Sequence, residues 1–187
     1  MGSNMSAARV SAFQQFLQDH DTATAALAAW CRRNHPGCGD ELAATVLLDR
    51  EADPQEYDGP LQVSADEPIR CRRVLLKWGD QVVSEAENWY FPQRLPVEMQ
   101  TALTAGDQPF GAVVAELLPR RTTIAIHTGD DVLRGGAAVE GFIAELEKAK
   151  VFSPVGDFVL HVTAVMEGAG VVLAELREHY RRELLAF

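Results

Sequence analysis

The stretch IRCRRVLLKWGDQVVSEAENWYFP, residues 69–92, decides the fold, because it predicts two strands joined by a tight turn. Val74, Leu76 and Trp78 recur at every second position, which is the side-chain period of a β-strand. Gly79-Asp80 supplies turn residues, and the chain then returns as a second strand that ends at a proline. The stretch therefore predicts an antiparallel hairpin.

Outward from this hairpin, the sequence alternates between short apolar runs and amphipathic segments. The predicted strands are Leu42–Leu48, Leu61–Val63, Ile69–Trp78, Val82–Phe91, Arg120–His127, Phe158–Met166 and Val171–Tyr180. The predicted helices fall within residues 7–33, begin at Pro96 and at Pro109, and cover Ala137–Lys150. Strands joined by tight turns imply an antiparallel β-sheet, so the pattern predicts an α+β fold with helices packed on one side of the sheet.

Length and composition predict one globular domain. The chain has 187 residues, of which 47% are hydrophobic, enough for a single well-packed core. We interpret residues 1–6 as a disordered cloning remnant and residues 7–187 as the domain. No apolar run reaches the roughly 18 residues of a membrane span. Three widely spaced cysteines and no secretory segment favour a reducing, cytoplasmic compartment.

Charge and ligand spacing argue against two common functions. The net charge of −10 disfavours nucleic-acid binding, since phosphate neutralisation requires a basic face. Cys31, His35 and Cys38 resemble a zinc knuckle, but a fourth ligand is missing nearby, so we expect no metal site.

Two charged residues occupy strand positions at which the alternation expects apolar ones. Arg72 begins the face of Val74 and Leu76, and Glu175 shares the alternation of Leu173. A buried charge costs several kcal/mol unless it is paired or meets a ligand. Arg72 and Glu175 could therefore pair with each other, one could face solvent, or both could bind a ligand.

A third candidate is the turn Pro109-Phe110-Gly111, which enters a helix. Backbone N–H groups are unsatisfied at a helix start and can bind a carboxylate. The alternative is an ordinary proline-started helix with Phe110 in the core.

Four short motifs, in the same order and with similar spacing, resemble the chorismate lyase family, whose fold is shared by the effector-binding (UTRA) domains of transcription regulators. The motifs are Arg72-Arg73-Val74-Leu75-Leu76, Trp89-Tyr90-Phe91-Pro92, Pro109-Phe110-Gly111 and Val172-Leu173-Ala174-Glu175-Leu176. They are similar to the family's R-x-[VI]-L-L strand, its strand ending in an apolar pair plus proline, its P-[LF]-G helix start and its L-L-x-E-L strand. The fit covers more than a third of the chain.

The resemblance implies an enzyme that converts chorismate to 4-hydroxybenzoate and pyruvate, a reaction of ubiquinone biosynthesis, without a metal or an organic cofactor. Arg72 would bind the ring carboxylate, and the backbone at Phe110 and Gly111 would contact the ligand. Glu175 would face the 4-hydroxyl and manage the proton lost on aromatisation. Arg72 and Glu175 are thus the predicted catalytic residues.

The sequence also departs from the family. Ala86-Glu87-Asn88 stands where many members have A-x-R, and residues 129–150 have no counterpart. We therefore carry three hypotheses: a lyase acting on chorismate or a close analogue, a non-catalytic UTRA-like module that binds an aromatic carboxylate, and an interaction protein with an empty site. A regulator would need a helix-turn-helix domain, for which this chain has no room. Neither nucleic acid nor a membrane is an expected partner, and the pattern leaves monomer and dimer open.

Overall fold

A computed structural model describes residues 2–128 and 158–185 of the chain. The helices are α1 (Gly2–Gln18), α2 (Ala23–Asn34), α3 (Val97–Ala105) and α4 (Phe110–Val113). The strands are β1 (Leu42–Ala52), β2 (Ile69–Trp78), β3 (Gln81–Tyr90), β4 (Arg120–Thr128), β5 (Phe158–Gly168) and β6 (Val171–Arg181). The helix expected over Ala137–Lys150 lies outside the described residues.

The six strands form one sheet in the order β1-β2-β3-β6-β5-β4, and every neighbouring pair is antiparallel. The helices lie on one side of it, so the predicted α+β class is confirmed. The hairpin at residues 69–92 supplies two of the sheet's inner strands, because β1 pairs with its first strand and β6 with its second. A one-residue shift in the register of β2 or β3 would therefore change the pairing with the strands on both of its sides.

Three predicted elements differ from the structure. The expected strand Leu61–Val63 is irregular chain, in which the Leu61 N–H donates to the Tyr57 hydroxyl (2.8 Å) instead of to a strand. The helix expected from Pro109 ends already at Val113, and the chain leaves it through a single 3₁₀ turn, after which Leu118 has a left-handed φ of 49°. Helix α1 begins at Gly2, whereas the sequence predicts helical structure only within residues 7–33.

Aromatic residues of the first two helices pack against the helix-bearing face of the sheet. The Phe13 ring lies edge-on to Trp30 of α2 and to Tyr180 of β6, each at 5.0 Å between centroids. Thr22 caps the start of α2 by accepting a hydrogen bond from the Ala25 N–H (3.1 Å). No helix among the described residues is both long and apolar enough to cross a membrane.

The opposite face of the sheet is covered by the loop between β1 and β2. Leu61 of this loop packs in one cluster with Cys71, Trp89 and Phe91 of the strands. Both faces are therefore shielded from water over part of their area, and a charged side chain at either phase of a strand can be buried. The pairing register of the strand determines whether such a side chain faces the helices or the loop.

Candidate functional site

A cleft opens between the helix-bearing face of the sheet and the first turns of α2 and α4. It encloses about 390 Å³, open solvent at its mouth included. Its floor is formed by inward-facing residues of β2, β3 and β6, and most of its lining is apolar, as is usual for small-molecule sites. The lining residues are Ala23, Thr24, Leu27, Val74, Leu76, Ser84, Ala86, Asn88, Pro109, Phe110, Gly111, Met166, Leu176, Glu178 and Tyr180.

Arg72 lies next to this cleft, fully buried and poorly paired. Its Nη2 donates to the Gln108 carbonyl (2.9 Å), directly before the turn that begins α4. Its Nε is 3.9 Å from Asp49, too far for a hydrogen bond, and neither Nε nor Nη1 has a hydrogen-bond partner among the described residues. Burial lowers the pKa of Arg72, and Asp49 opposes this shift only in part. The guanidinium thus retains two unused donor nitrogens, Nε and Nη1.

Asn88 extends the polar end of the cleft. It is the direct cross-strand partner of Arg72 in the β2–β3 ladder, which brings the two Cβ atoms to roughly 5 Å. Asn88 is 4% exposed, lines the cleft and has no side-chain hydrogen bond to any residue that the structure describes. Together the two side chains can donate to one carboxylate.

Glu178 stands at a different point of the same wall. Its Oε2 accepts from Arg121 Nη2 (2.5 Å) and from the Tyr180 hydroxyl (2.8 Å). Burial alone would lower the pKa of Arg121, but the adjacent Glu178 carboxylate raises it, so the ion pair is maintained. Glu178 and Tyr180 are not among the site residues predicted from the sequence, although both continue the alternation of Leu176 and so share its face.

The structure brings Phe110 and Gly111 to the cleft, as residues of its wall. Phe110 also packs on Tyr90 with 5.4 Å between ring centroids, so its side chain belongs to the core. A Cβ at Gly111 would lie 2.7 Å from Thr24 Oγ1, because α4 approaches the first turn of α2 closely. A side chain at this position would force Thr24 to shift, so helix packing favours glycine here.

Glu175 does not join Arg72. In the register of the sheet, Arg72 lies opposite Asn88, whereas Glu175 lies opposite Trp89. Successive residues of a strand point to opposite faces, so Glu175 lies on the face away from the helices. Both predicted residues are buried, at 0% and 1% exposure, yet they neither pair with each other nor reach solvent.

A β-bulge explains why the alternation fails. Met166 pairs with Ala174, but its neighbour Glu167 pairs with Val172, which leaves Leu173 as an extra residue on β6. Leu173 consequently packs with the core under the helices, in phase with Ala174 rather than with Glu175.

Glu175 is held instead by the loop that covers the second face. It accepts a hydrogen bond from the Tyr57 hydroxyl (2.5 Å) and one from Arg177 Nε (2.9 Å). Burial and this carboxylate raise the pKa of Tyr57, which keeps the phenol protonated as a donor. A Cβ at Gly59 would lie 2.1 Å from Glu175 Oε2, so the loop backbone passes directly over the carboxylate.

The neighbouring charges on this second face are paired as well. Arg177 also contacts Asp58 (2.7 Å) and Glu87 (3.4 Å), and Glu87 accepts from Arg73 (2.6 Å). Burial by itself would lower the pKa of Arg177, but its hydrogen bond to Glu175 raises it. Because these charges are paired with one another, the network is typical of a structural ion-pair cluster and not of a ligand-binding site. Within residues 2–128 and 158–185, no group of three or more metal-ligating side chains is close enough to hold an ion.

Comparisons with known proteins agree with the fold. PhnF from Mycobacterium smegmatis superimposes with a TM-score of 0.52 at 12% identity, over 90% of this chain and 67% of PhnF. The effector binding domain of the Bacillus subtilis trehalose repressor matches with a TM-score of 0.42 at 12% identity, over 75% of this chain and 90% of that domain. The superposition with PhnF shows that this chain and PhnF share an α+β fold.

In sequence, the chain is similar to the uncharacterized protein y4mC of Sinorhizobium fredii, with 34% identity over 117 residues. The match covers 58% of this chain and 46% of y4mC, so the chain spans about half the length of that relative. No protein-family model matches the sequence.

Proposed function

We propose that this chain is a small-molecule binding module that holds an organic acid in the cleft between sheet and helices. The observation that carries the proposal is Arg72, a fully buried cation with two unused donors. A buried charge in this condition costs several kcal/mol, and a bound carboxylate would repay that cost through charge-assisted hydrogen bonds. Asn88, whose side chain forms no hydrogen bond with the described residues, provides a further donor beside it.

The fold supports the same reading. PhnF, with which this chain shares its fold, contains a domain described as its effector domain. The apolar floor of the cleft suits the hydrocarbon part of a small acid, so an aromatic carboxylate is the ligand that we propose.

The lyase hypothesis has less support. The resemblance assigns proton transfer to Glu175, but this carboxylate lies on the other face of the sheet under Tyr57. None of the comparisons points to release of pyruvate. We therefore propose binding without turnover.

The test is a titration of the purified chain with chorismate, 4-hydroxybenzoate and the uncharged 4-hydroxybenzamide, followed by thermal shift and calorimetry. We expect both acids to stabilise the protein and the amide to have little effect, because only a carboxylate uses both donors of Arg72. Arg72→Met should weaken acid binding by roughly 100-fold. Equal binding of acid and amide, or undiminished binding to Arg72→Met, would overturn the proposal, and pyruvate formation from chorismate would restore the lyase.

A further inference from the structure

The cleft has a second polar feature, which is an acceptor rather than a donor. Both hydrogen bonds that Glu178 accepts, from Arg121 and from Tyr180, end on Oε2. Its Oε1 accepts no hydrogen bond from the residues that the structure describes, although Glu178 is 5% exposed and lines the cleft. A carboxylate oxygen can accept two hydrogen bonds, so Oε1 is an unused acceptor.

The charges around Glu178 indicate which group it can receive. The side chain of Arg121 is 3% exposed and forms a close ion pair with Glu178, so the pair is neutral as a unit. The Tyr180 hydroxyl already donates its proton to the same carboxylate. A ligand group at this point therefore meets an acceptor without net charge, which suits an uncharged N–H or O–H donor and disfavours another acceptor.

The register gives the separation of the two polar features. Arg72 is opposite Asn88, Asn88 is opposite Leu176, and Glu178 lies two residues beyond Leu176 on β6. Two strand spacings across and two residues along place the Cα atoms of Arg72 and Glu178 roughly 12 Å apart. Both side chains project from the same face, and a six-membered ring with substituents at opposite positions, hydrogen-bonded at each end, spans a distance of this order.

Beyond Asn88, the floor between them is largely apolar. Val74, Ala86 and Leu176 lie in this part of the cleft, and none of them carries a polar side-chain atom. A ring can lie on these residues with its carboxylate towards Arg72 and its opposite substituent towards Glu178.

We propose that the ligand is an acid whose carboxylate and an uncharged N–H or O–H donor stand at opposite ends of a ring-sized apolar body, with Glu178 Oε1 accepting from the donor. This inference rests on the proposed carboxylate site at Arg72. It makes Glu178 the residue that determines specificity, and it places Arg121 and Tyr180 as positioning residues that orient the carboxylate.

The test compares 4-aminobenzoate with 4-methylbenzoate, which have nearly the same shape and differ in the donor. Calorimetry on the full chain should show at least a 10-fold preference for the amine. The double variant Arg121→Met/Glu178→Met removes both charges of the pair and so leaves neither unpaired. It should bind the two acids equally, with the affinity for 4-methylbenzoate within about 3-fold of that of the unmodified chain.

The outcomes separate the two proposals. If neither acid binds, the carboxylate site at Arg72 is wrong and the inference about Glu178 falls with it. If both acids bind equally to the unmodified chain and lose affinity in Arg72→Met, only the role of Glu178 is overturned. Should the double variant not fold, the preference of the unmodified chain still decides, and Glu178→Gln, which keeps the size of the side chain, should reduce that preference.

Discussion

Replacing Arg72 by methionine should stabilise the free protein, although the residue is fully buried. Arg72 makes one hydrogen bond, to Gln108, and its contact with Asp49 is 3.9 Å long. Exchanging a poorly paired buried charge for an apolar side chain of similar length is neutral or stabilises by about 1–4 kcal/mol. Loss of the donor to Gln108 costs about 1 kcal/mol, whereas Asp49 keeps its hydrogen bonds from Arg70.

The free energy of unfolding of Arg72→Met should therefore be about 2 kcal/mol higher, which for a chain of this size corresponds to roughly 4–8 °C in Tm. Thermal and urea unfolding of Arg72→Met without ligand would measure it. Arg50→Met is the matched control, because Arg50 forms an exposed ion pair with Glu56 and its loss should change stability by less than about 0.5 kcal/mol. If Arg72→Met instead lowers the free energy of unfolding by more than about 2 kcal/mol, Arg72 is a structural residue and the proposed carboxylate site is not supported.

The other predictions concern both faces of the sheet. Burial raises the pKa of Glu85 to about 7, so the folded state binds a proton that the unfolded chain releases, and stability falls as the pH rises from about 4.5 to 7. Glu85→Gln should therefore raise Tm at pH 8 and leave it nearly unchanged at pH 5; equal shifts at both would contradict this. Glu175→Gln and Tyr57→Phe should each lower stability by about 1–3 kcal/mol without changing the affinity for 4-hydroxybenzoate, and a parallel loss of affinity would return Glu175 to the ligand site. Gly111→Ala should cost about 1–3 kcal/mol, and Thr24→Ala in the same chain should recover part of that cost, which differential scanning fluorimetry can check.

The sheet could be predicted from the sequence because its signals are local. The alternation in Ile69–Trp78 and the glycine at the following turn define β2 to the residue, and β3 differs by one residue at each end. The irregular chain at Leu61 could not be predicted in this way. Leu61 donates to the Tyr57 hydroxyl, and this hydroxyl in turn donates to Glu175 of β6, so the path of the loop depends on a contact between distant parts of the chain.

The sequence predicts the part of the candidate site that depends on local patterns, and not the part that depends on pairing between strands. Arg72 and the turn at Phe110 lie within short local patterns, and the structure brings both to the cleft wall or its edge. The side on which Glu175 lies depends on one extra residue, Leu173, in a bulge that is defined by pairing with β5. A shift of one residue moves every later side chain to the other face, so an alternation read along β6 alone assigns Glu175 wrongly.

Arg72 and Glu175 are both buried charges on opposite faces of the sheet, and they differ in how they are paired. Around Glu175, each carboxylate and guanidinium finds partners between 2.5 and 3.4 Å, so the cost of burial is offset within the chain. On the helix-bearing face, Arg72 keeps two donors unused and Glu178 keeps one oxygen unused. Buried polar groups in folded proteins are almost always satisfied, so an exception beside a cleft is explained if a bound molecule completes the bonding. Removal of Glu175 or of its partner Tyr57 should therefore lower stability alone, whereas removal of Arg72 should lower affinity and raise stability. Since opposite signs are expected from residues of the same buried class, the two measurements together distinguish a ligand site from a structural one.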